Sequence, residues 1–156
     1  VVGDGAQRTI LEQETLQAGM QNVVIFTGRV PNDRIPSLLQ RADACLVHLR
    51  KTDLFSTVIP SKIFETMAMQ CPIIMGVQGE ALRIVTEAQA AIPMTPESAE
   101  ELTAAVEKLA DDAQLQQQLG ENGRRYVAEH FDRNRLAAKY LELLEEVSGK
   151  PGSIKE

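Results

Sequence analysis

The feature that most constrains this chain is an alternation of short, unbroken apolar runs with stretches of helical periodicity. Val23-Val24-Ile25-Phe26 and Cys45-Leu46-Val47 contain no polar residue at alternate places. A strand wetted on one face would contain one, so these runs suit strands covered on both faces, as in a parallel sheet. Strands are expected at residues 1–2, 23–26, 44–49, 73–75 and 91–93, with helices at 6–19, 31–41, 61–70 and 80–88. Strand, helix, strand in this rhythm is a series of βαβ units with right-handed crossovers. The expected class is α/β, an open, doubly wound parallel sheet.

The last third reads as helix. Leu102, Val106 and Leu109 recur at helical spacing, and Leu136, Tyr140, Leu143, Leu144 and Val147 form a longer stripe. Thr95 before Pro96 has the form of an N-cap followed by proline at the first helical position. Ser98 with Glu101 would form a capping box if that helix began later. Asp111 and Asp132 are expected to cap the next two helices. Residues 1–147 are expected to form one domain and 148–156 a flexible tail. A chain that opens Val1-Val2-Gly3, in mid-strand, is expected to be a piece of a longer polypeptide.

Composition narrows the function. Sixteen Lys and Arg against 22 Asp and Glu give a net charge of −6 in 156 residues, which argues against nucleic-acid binding. No apolar run is long enough to span a bilayer. Cys45 and Cys71 lack disulfide or metal spacing and read as reduced core thiols of an intracellular protein.

Ligands of open parallel sheets bind beyond the carboxyl ends of the strands. The residues there are Gly3-Asp4-Gly5, Gly28-Arg29-Val30-Pro31, the loop 50–60 and Gly76-Val77-Gln78-Gly79. Gly3-x-Gly5 begins like a dinucleotide fingerprint, but Arg8 stands where the third glycine belongs, so a plain tight strand-to-helix turn is the favoured reading. Pro60-Ser61-Lys62 sits at an expected helix start, where unbonded N–H groups and the helix dipole favour phosphate. Lys62 opposes that dipole unless an anion lies beside it, and Glu65 one turn on would suit ribose hydroxyls. The alternative is a Lys62–Glu65 surface pair of about 0.2–0.5 kcal/mol. Gly79-Glu80 offers a second glycine-flanked helix start. Arg8 and Arg29 are candidate phosphate cations or solvated arginines; His48 reads as a satisfied near-core histidine, and His130 carries no assignment.

Taken in order, these segments resemble the carboxy-terminal, donor-binding half of GT-B fold glycosyltransferases of family 4 (group 1). They are Val2-Gly3-Asp4-Gly5, Val24-Ile25-Phe26-Thr27-Gly28-Arg29-Val30-Pro31, Leu38-Leu39-Gln40-Arg41-Ala42-Asp43, Ile63-Phe64-Glu65-Thr66-Met67-Ala68 with Cys71-Pro72-Ile73-Ile74, and Gly76-Val77-Gln78-Gly79-Glu80. The resemblance implies a Rossmann-like sheet with extra C-terminal helices. Pro60-Ser61-Lys62 is similar to bacterial O-antigen and capsule enzymes, amino-sugar (N-acetylfucosamine-type) transferases among them.

The resemblance further implies roles. Glu65 matches the second glutamate of the E-x7-E motif and would hold the ribose. Pro60, Ser61 and Lys62 would hold the diphosphate, Arg29 and Val30 would pass the nucleobase, and Gly79 and Glu80 would lie near the donor sugar, with Gly3 and Gly5 in the first turn. Thr57 stands where the motif has its first glutamate, and Asp53 is a possible substitute. Gln70 stands at a helix end where the family has glycine, so local strain is expected there.

The implied reaction is retaining transfer of a sugar from a nucleoside diphosphate sugar, a UDP-sugar by preference, to a polysaccharide or lipid-linked acceptor. Helix start and Lys62 would stabilise the departing diphosphate without metal or other cofactor. The implied setting is the cytoplasm, with the full-length enzyme at the inner face of the membrane. A preceding acceptor domain is the implied partner; without it the chain should be inactive and prone to self-association through exposed apolar surface. Two other readings stay open: a UDP-sugar 2-epimerase-like domain, with Glu80 and His48 as acid–base groups, and a non-catalytic nucleotide-binding module.

Overall fold

The computed structural model describes residues 1–149; the remainder of the expected tail, residues 150–156, lies outside the described residues. The chain divides into two compact units, Val1–Leu38 and Leu39 onward.

The first unit holds α1 (Arg8–Gln17) and a 3-10 turn, Asn32–Arg34, running into α2 (Ile35–Gln40), within which the division falls. The strands expected at 1–2 and 23–26 do not form. Val1 N donates to Ile25 C=O (2.6 Å) and Val1 C=O accepts from Thr27 N–H (3.0 Å), so the two runs do touch. Beyond that, one isolated bridge joins Gly3 to Gly28. Val23 and Val24 instead turn back onto the carbonyl of Met20. Val1, Val2, Val23 and Ile25 are all at least half exposed. Apolar strands need cover on both faces, and two short runs alone do not hold a sheet.

The second unit carries a three-stranded parallel sheet of β1 (Cys45–His48), β2 (Ile73–Gly76) and β3 (Ala91–Pro93), in the order β1-β2-β3. Cys45 pairs with Ile73, and Ile73 with Ala91. Between and after the strands come α3 (Asp53–Ser56), α4 (Lys62–Ala68), α5 (Glu80–Glu87), α6 (Ala99–Asp111), α7 (Ala113–His130) and α8 (Arg133–Ser148).

Side chains of successive strand residues point to opposite faces, and β2 feeds two cores accordingly. Ile73 and Met75 pack with Val47, with Ile63 and Met67 of α4, and with Ala81, Ile84 and Val85 of α5. Ile74 points the other way, to Met94, Ala105 and Leu109 of α6, and Leu119 of α7. Helices therefore cover both faces of β2, the doubly wound arrangement. Each fully buried Ile, Met or Val contributes about 1.5–3 kcal/mol, and Ile63, Met67, Ile73 and Met75 are completely inaccessible. Cys71 is buried as a free thiol, with its pKa pushed up to about 12 by burial first and by nearby Cys45 second.

The caps correct two expectations. α6 begins at Ala99, with Ser98 as N-cap accepting from Glu101 N–H (3.2 Å). Thr95 and Pro96 belong to a turn in which Ser98 N–H bonds back to Thr95 C=O (3.1 Å). Proline suits the second place of such a turn as well as the first place of a helix, and the turn prevails. Asp112, not Asp111, caps α7 through Leu115 N–H (2.8 Å). Asp132 caps α8 as expected, through Arg135 N–H (3.0 Å). α8 runs through Ser148 and closes on Gly149 at φ 64. It buries no residue, and its stripe stays open, with Tyr140 at 64% and Val147 at 88% exposure.

Candidate functional site

In the second unit, the carboxyl ends of the strands open into three loops: 49–61 after β1, 77–79 after β2 and 94–98 after β3. The sequence places Pro60, Ser61, Lys62 and Glu65 at the end of the first. Ser61 already has helical angles (φ −56, ψ −27), and its hydroxyl caps nothing. The first bonds of the turn run from Ile63 N–H to Pro60 C=O and from Phe64 N–H to Ser61 C=O, both 3.1 Å. Among the described residues, the Ser61 and Lys62 N–H groups donate to no protein acceptor. Lys62 and Glu65 are exposed, and no ion pair joins them among the described residues. The surface pair weighed from their spacing is thus not made. Two unspent amides, an ammonium and a carboxylate remain on one exposed turn, a set able to hold an anion and a hydroxyl together.

Thr57 closes α3, its hydroxyl donating to Leu54 C=O (2.8 Å). Asp53 lies in the first turn of the same short helix, which Thr52 caps through Phe55 N–H (3.3 Å). α3 was not foreseen, because four residues offer no periodicity to read.

Gly79 is fixed twice over. Its angles (φ 75, ψ −146) belong to a region open to glycine alone. A Cβ there would also stand 1.9 Å from the carbonyl oxygen of Ser56. The β2–α5 loop thus presses backbone to backbone on the end of α3. Glu80 starts α5, and its carboxylate takes the guanidinium of Arg83 in a two-point contact that holds its pKa below the usual carboxylate value. Arg83 also reaches Glu87, which accepts from the Tyr126 hydroxyl (3.1 Å).

Between these loops lies a small cleft lined by residues 49–52, Phe55, Ser56, Val77, Gln78 and Pro96. Its free space of about 10 Å³ matches a single water. Beside it, His48 Nε2 accepts from Glu97 N–H (2.9 Å), and Glu97 Oε2 accepts from Lys51 N–H (3.1 Å). His48 is therefore satisfied, as its place near a buried strand end suggests. Both side chains that epimerase chemistry would recruit, Glu80 and His48, are engaged by protein partners. Sequence reasoning missed Glu97; the only signal was Pro96-Glu97-Ser98, which has the form of a turn. Among the described residues no cluster of His, Cys, Asp and Glu is arranged to hold a metal ion, and no helix is long and apolar enough to cross a membrane.

The first unit carries the other sequence-derived residues. Gly3 (φ 120) donates its N–H to Gly28 C=O (2.9 Å), and Gly5 C=O receives Arg8 N–H (3.0 Å) as α1 begins. Arg8 lies over Gly28, its Nη1 2.8 Å from where a Cβ would stand. Its guanidinium donates to Glu12 (2.8 Å), which raises its pKa. Arg29 is exposed and Val30 half-buried.

The model of the family described as "Glycosyl transferases group 1" matches residues 1–126. The chain is 29% identical over 151 residues to the 2-deoxystreptamine glucosyltransferase of Streptomyces kanamyceticus, covering 96% of this chain but 38% of that protein. Among solved structures, sucrose-phosphate synthase from Thermosynechococcus elongatus superposes with a TM-score of 0.79 at 21% identity, over 93% of this chain and 35% of the other. Anabaena Alr3699/HepE, solved in complex with UDP, gives a TM-score of 0.78 at 21% identity, over 93% and 40%. The chain thus spans well under half the length of each.

Proposed function

The chain belongs to the group 1 glycosyl transferase family, and on that premise we propose that it is the donor-binding part of a retaining transferase. Its ligand in this reading is a nucleoside diphosphate sugar, a UDP-sugar by preference. The observation that carries the reading is the start of α4: two backbone N–H groups without protein acceptors, with Lys62 beside them and Glu65 one turn on. The diphosphate takes the amides and the Lys62 ammonium, and the Glu65 carboxylate accepts from the ribose hydroxyls. Charge growing on the departing diphosphate is then met by fixed donors, so the proposal needs no metal. The UDP complex of the Anabaena protein supports this choice of ligand.

Gly79 and Glu80 are proposed as the sugar-side loop of the same unit. Acceptor contacts, whether to a polysaccharide or a lipid-linked sugar, belong in this proposal to the remainder of a full-length cytoplasmic enzyme, and the chain alone turns nothing over. Titration calorimetry with UDP and UDP-glucose tests the donor site. Binding that weakens by about 1–3 kcal/mol in Lys62→Ala, as for a lost charge-assisted bond, and also in Glu65→Ala, is the expected result. No uptake of either ligand by the wild-type chain overturns it.

A further inference from the structure

Glu97 is held at φ 68, in the left-handed region. The turn 95–98 closes from Ser98 N–H to Thr95 C=O with Pro96 in second place, the arrangement of a type II turn, whose third place belongs to glycine or asparagine. A glutamate there costs backbone energy that glycine would not. Yet both ends of this residue are in use. Its N–H donates to His48 Nε2 (2.9 Å), at the carboxyl end of β1, and its carboxylate accepts from Lys51 N–H (3.1 Å), three residues further along the same loop.

The position of His48 is itself constrained. A Cβ on Gly76 would stand 2.7 Å from His48 Cδ2 and 3.5 Å from Met94 Cε, so the end of β2 leaves room for the ring only because residue 76 has no side chain. From Lys51 the chain passes directly into the Thr52 cap of α3, and the last carbonyl of α3, at Ser56, is what Gly79 rests on. His48, Glu97, Lys51 and Ser56 thereby tie the three strand-end loops together around the cleft lined by residues 49–52, Gln78 and Pro96.

We infer that Glu97 and His48 are positioning residues that fix loop 50–56, and with it the seat of Gly79, for the bound donor. Glycine in the third place of the turn would keep the backbone and lose the hold on Lys51; the glutamate keeps the hold at the expense of the backbone. The loop-holding part stands on these bonds alone, whereas the donor part rests on the donor-binding reading above.

The test uses the 156-residue chain and two readouts: amide hydrogen exchange at Lys51 without ligand, and calorimetric titration with UDP-glucose. Glu97→Ala should speed exchange at Lys51 and weaken UDP-glucose binding, each by roughly tenfold, as for one lost hydrogen bond. Glu97→Gly should show the same two losses with a melting temperature equal to or above wild type, because glycine adopts φ 68 without strain. Glu97→Gln, whose amide oxygen can still accept from Lys51 N–H, should restore both, and His48→Ala should mimic Glu97→Ala. Unchanged exchange and affinity in Glu97→Gly overturn the inference, as do losses that merely follow the melting temperature across the variants. Wild-type chain that takes up no UDP-glucose defeats the donor-binding reading instead, and exchange at Lys51 then decides whether Glu97 holds the loop.

Discussion

At the scale of single residues, glycine positions and their substitutes carry much of the information. Gln70 stands at the end of α4 with φ 58, and its backbone carbonyl lies against Gly120. The strain expected from a glutamine in a left-handed position at a helix end is thus present. Gln70→Gly should raise stability by about 0.5–1 kcal/mol, read as a higher denaturant midpoint; a fall would show that the Gln70 side chain itself stabilises the fold. Lys62 and Glu65 were legible by type and spacing, because charge against a helix dipole is a local matter. Whether they pair was not legible: the choice between an ion pair and two open side chains depends on rotamers, which spacing does not set. Glu97 was invisible for a related reason. Its role comes from partners 49 and 46 residues away, His48 and Lys51, and no local pattern encodes them.

Among elements, the junction of α4 and α7 shows how composition inside a helix becomes packing. α7 carries Gly120 and Gly123 in mid-helix, where glycine costs about 0.8–1.0 kcal/mol relative to alanine. A Cβ at Gly120 would meet the Gln70 carbonyl oxygen at 2.3 Å, and one at Gly123 would meet Ala90 and Met67 at 3.0–3.2 Å. The missing side chains let α7 lie against the end of α4, so helix propensity yields to contact. Gly120→Ala, an improvement by propensity alone, should therefore destabilise by about 1–3 kcal/mol through overpacking, measured by urea unfolding; added stability would mean the contact relaxes freely. The start of α6 teaches a similar lesson. Thr95-Pro96 and Ser98-x-x-Glu101 both carry start signals, and only the turn that presents Glu97 to His48 selects the second.

For the whole molecule, burial is uneven. In the first unit Gly28 is the single buried residue, whereas β2 in the second is buried at all four positions. Local opening follows such differences. Amides of Ile73–Gly76 should therefore exchange most slowly, and residues 1–30 should exchange orders of magnitude faster, in a native-state exchange experiment. Equal protection throughout would contradict this picture of a firm second unit and a weakly held first.

What the sequence determined by itself is the class and the order of parts. Continuous apolar runs alternating with amphipathic stretches admit few folds besides a covered parallel sheet, and β1, β2, β3, α4 and α5 appear where the pattern puts them, with only the four-residue α3 unannounced between β1 and β2. The residue types gathered at the start of α4, Pro60, Ser61, Lys62 and Glu65, were equally readable, because they are neighbours in the chain. Only the tertiary structure decided which apolar runs become strands. Val23-Val24-Ile25-Phe26 is as hydrophobic as Cys45-Leu46-Val47, but a strand persists where its two faces find cover, and that cover comes from residues remote in sequence. The same holds for the loops above the sheet, whose shape is set by His48, Glu97 and the carbonyl of Ser56 meeting across distances that no reading along the chain can close.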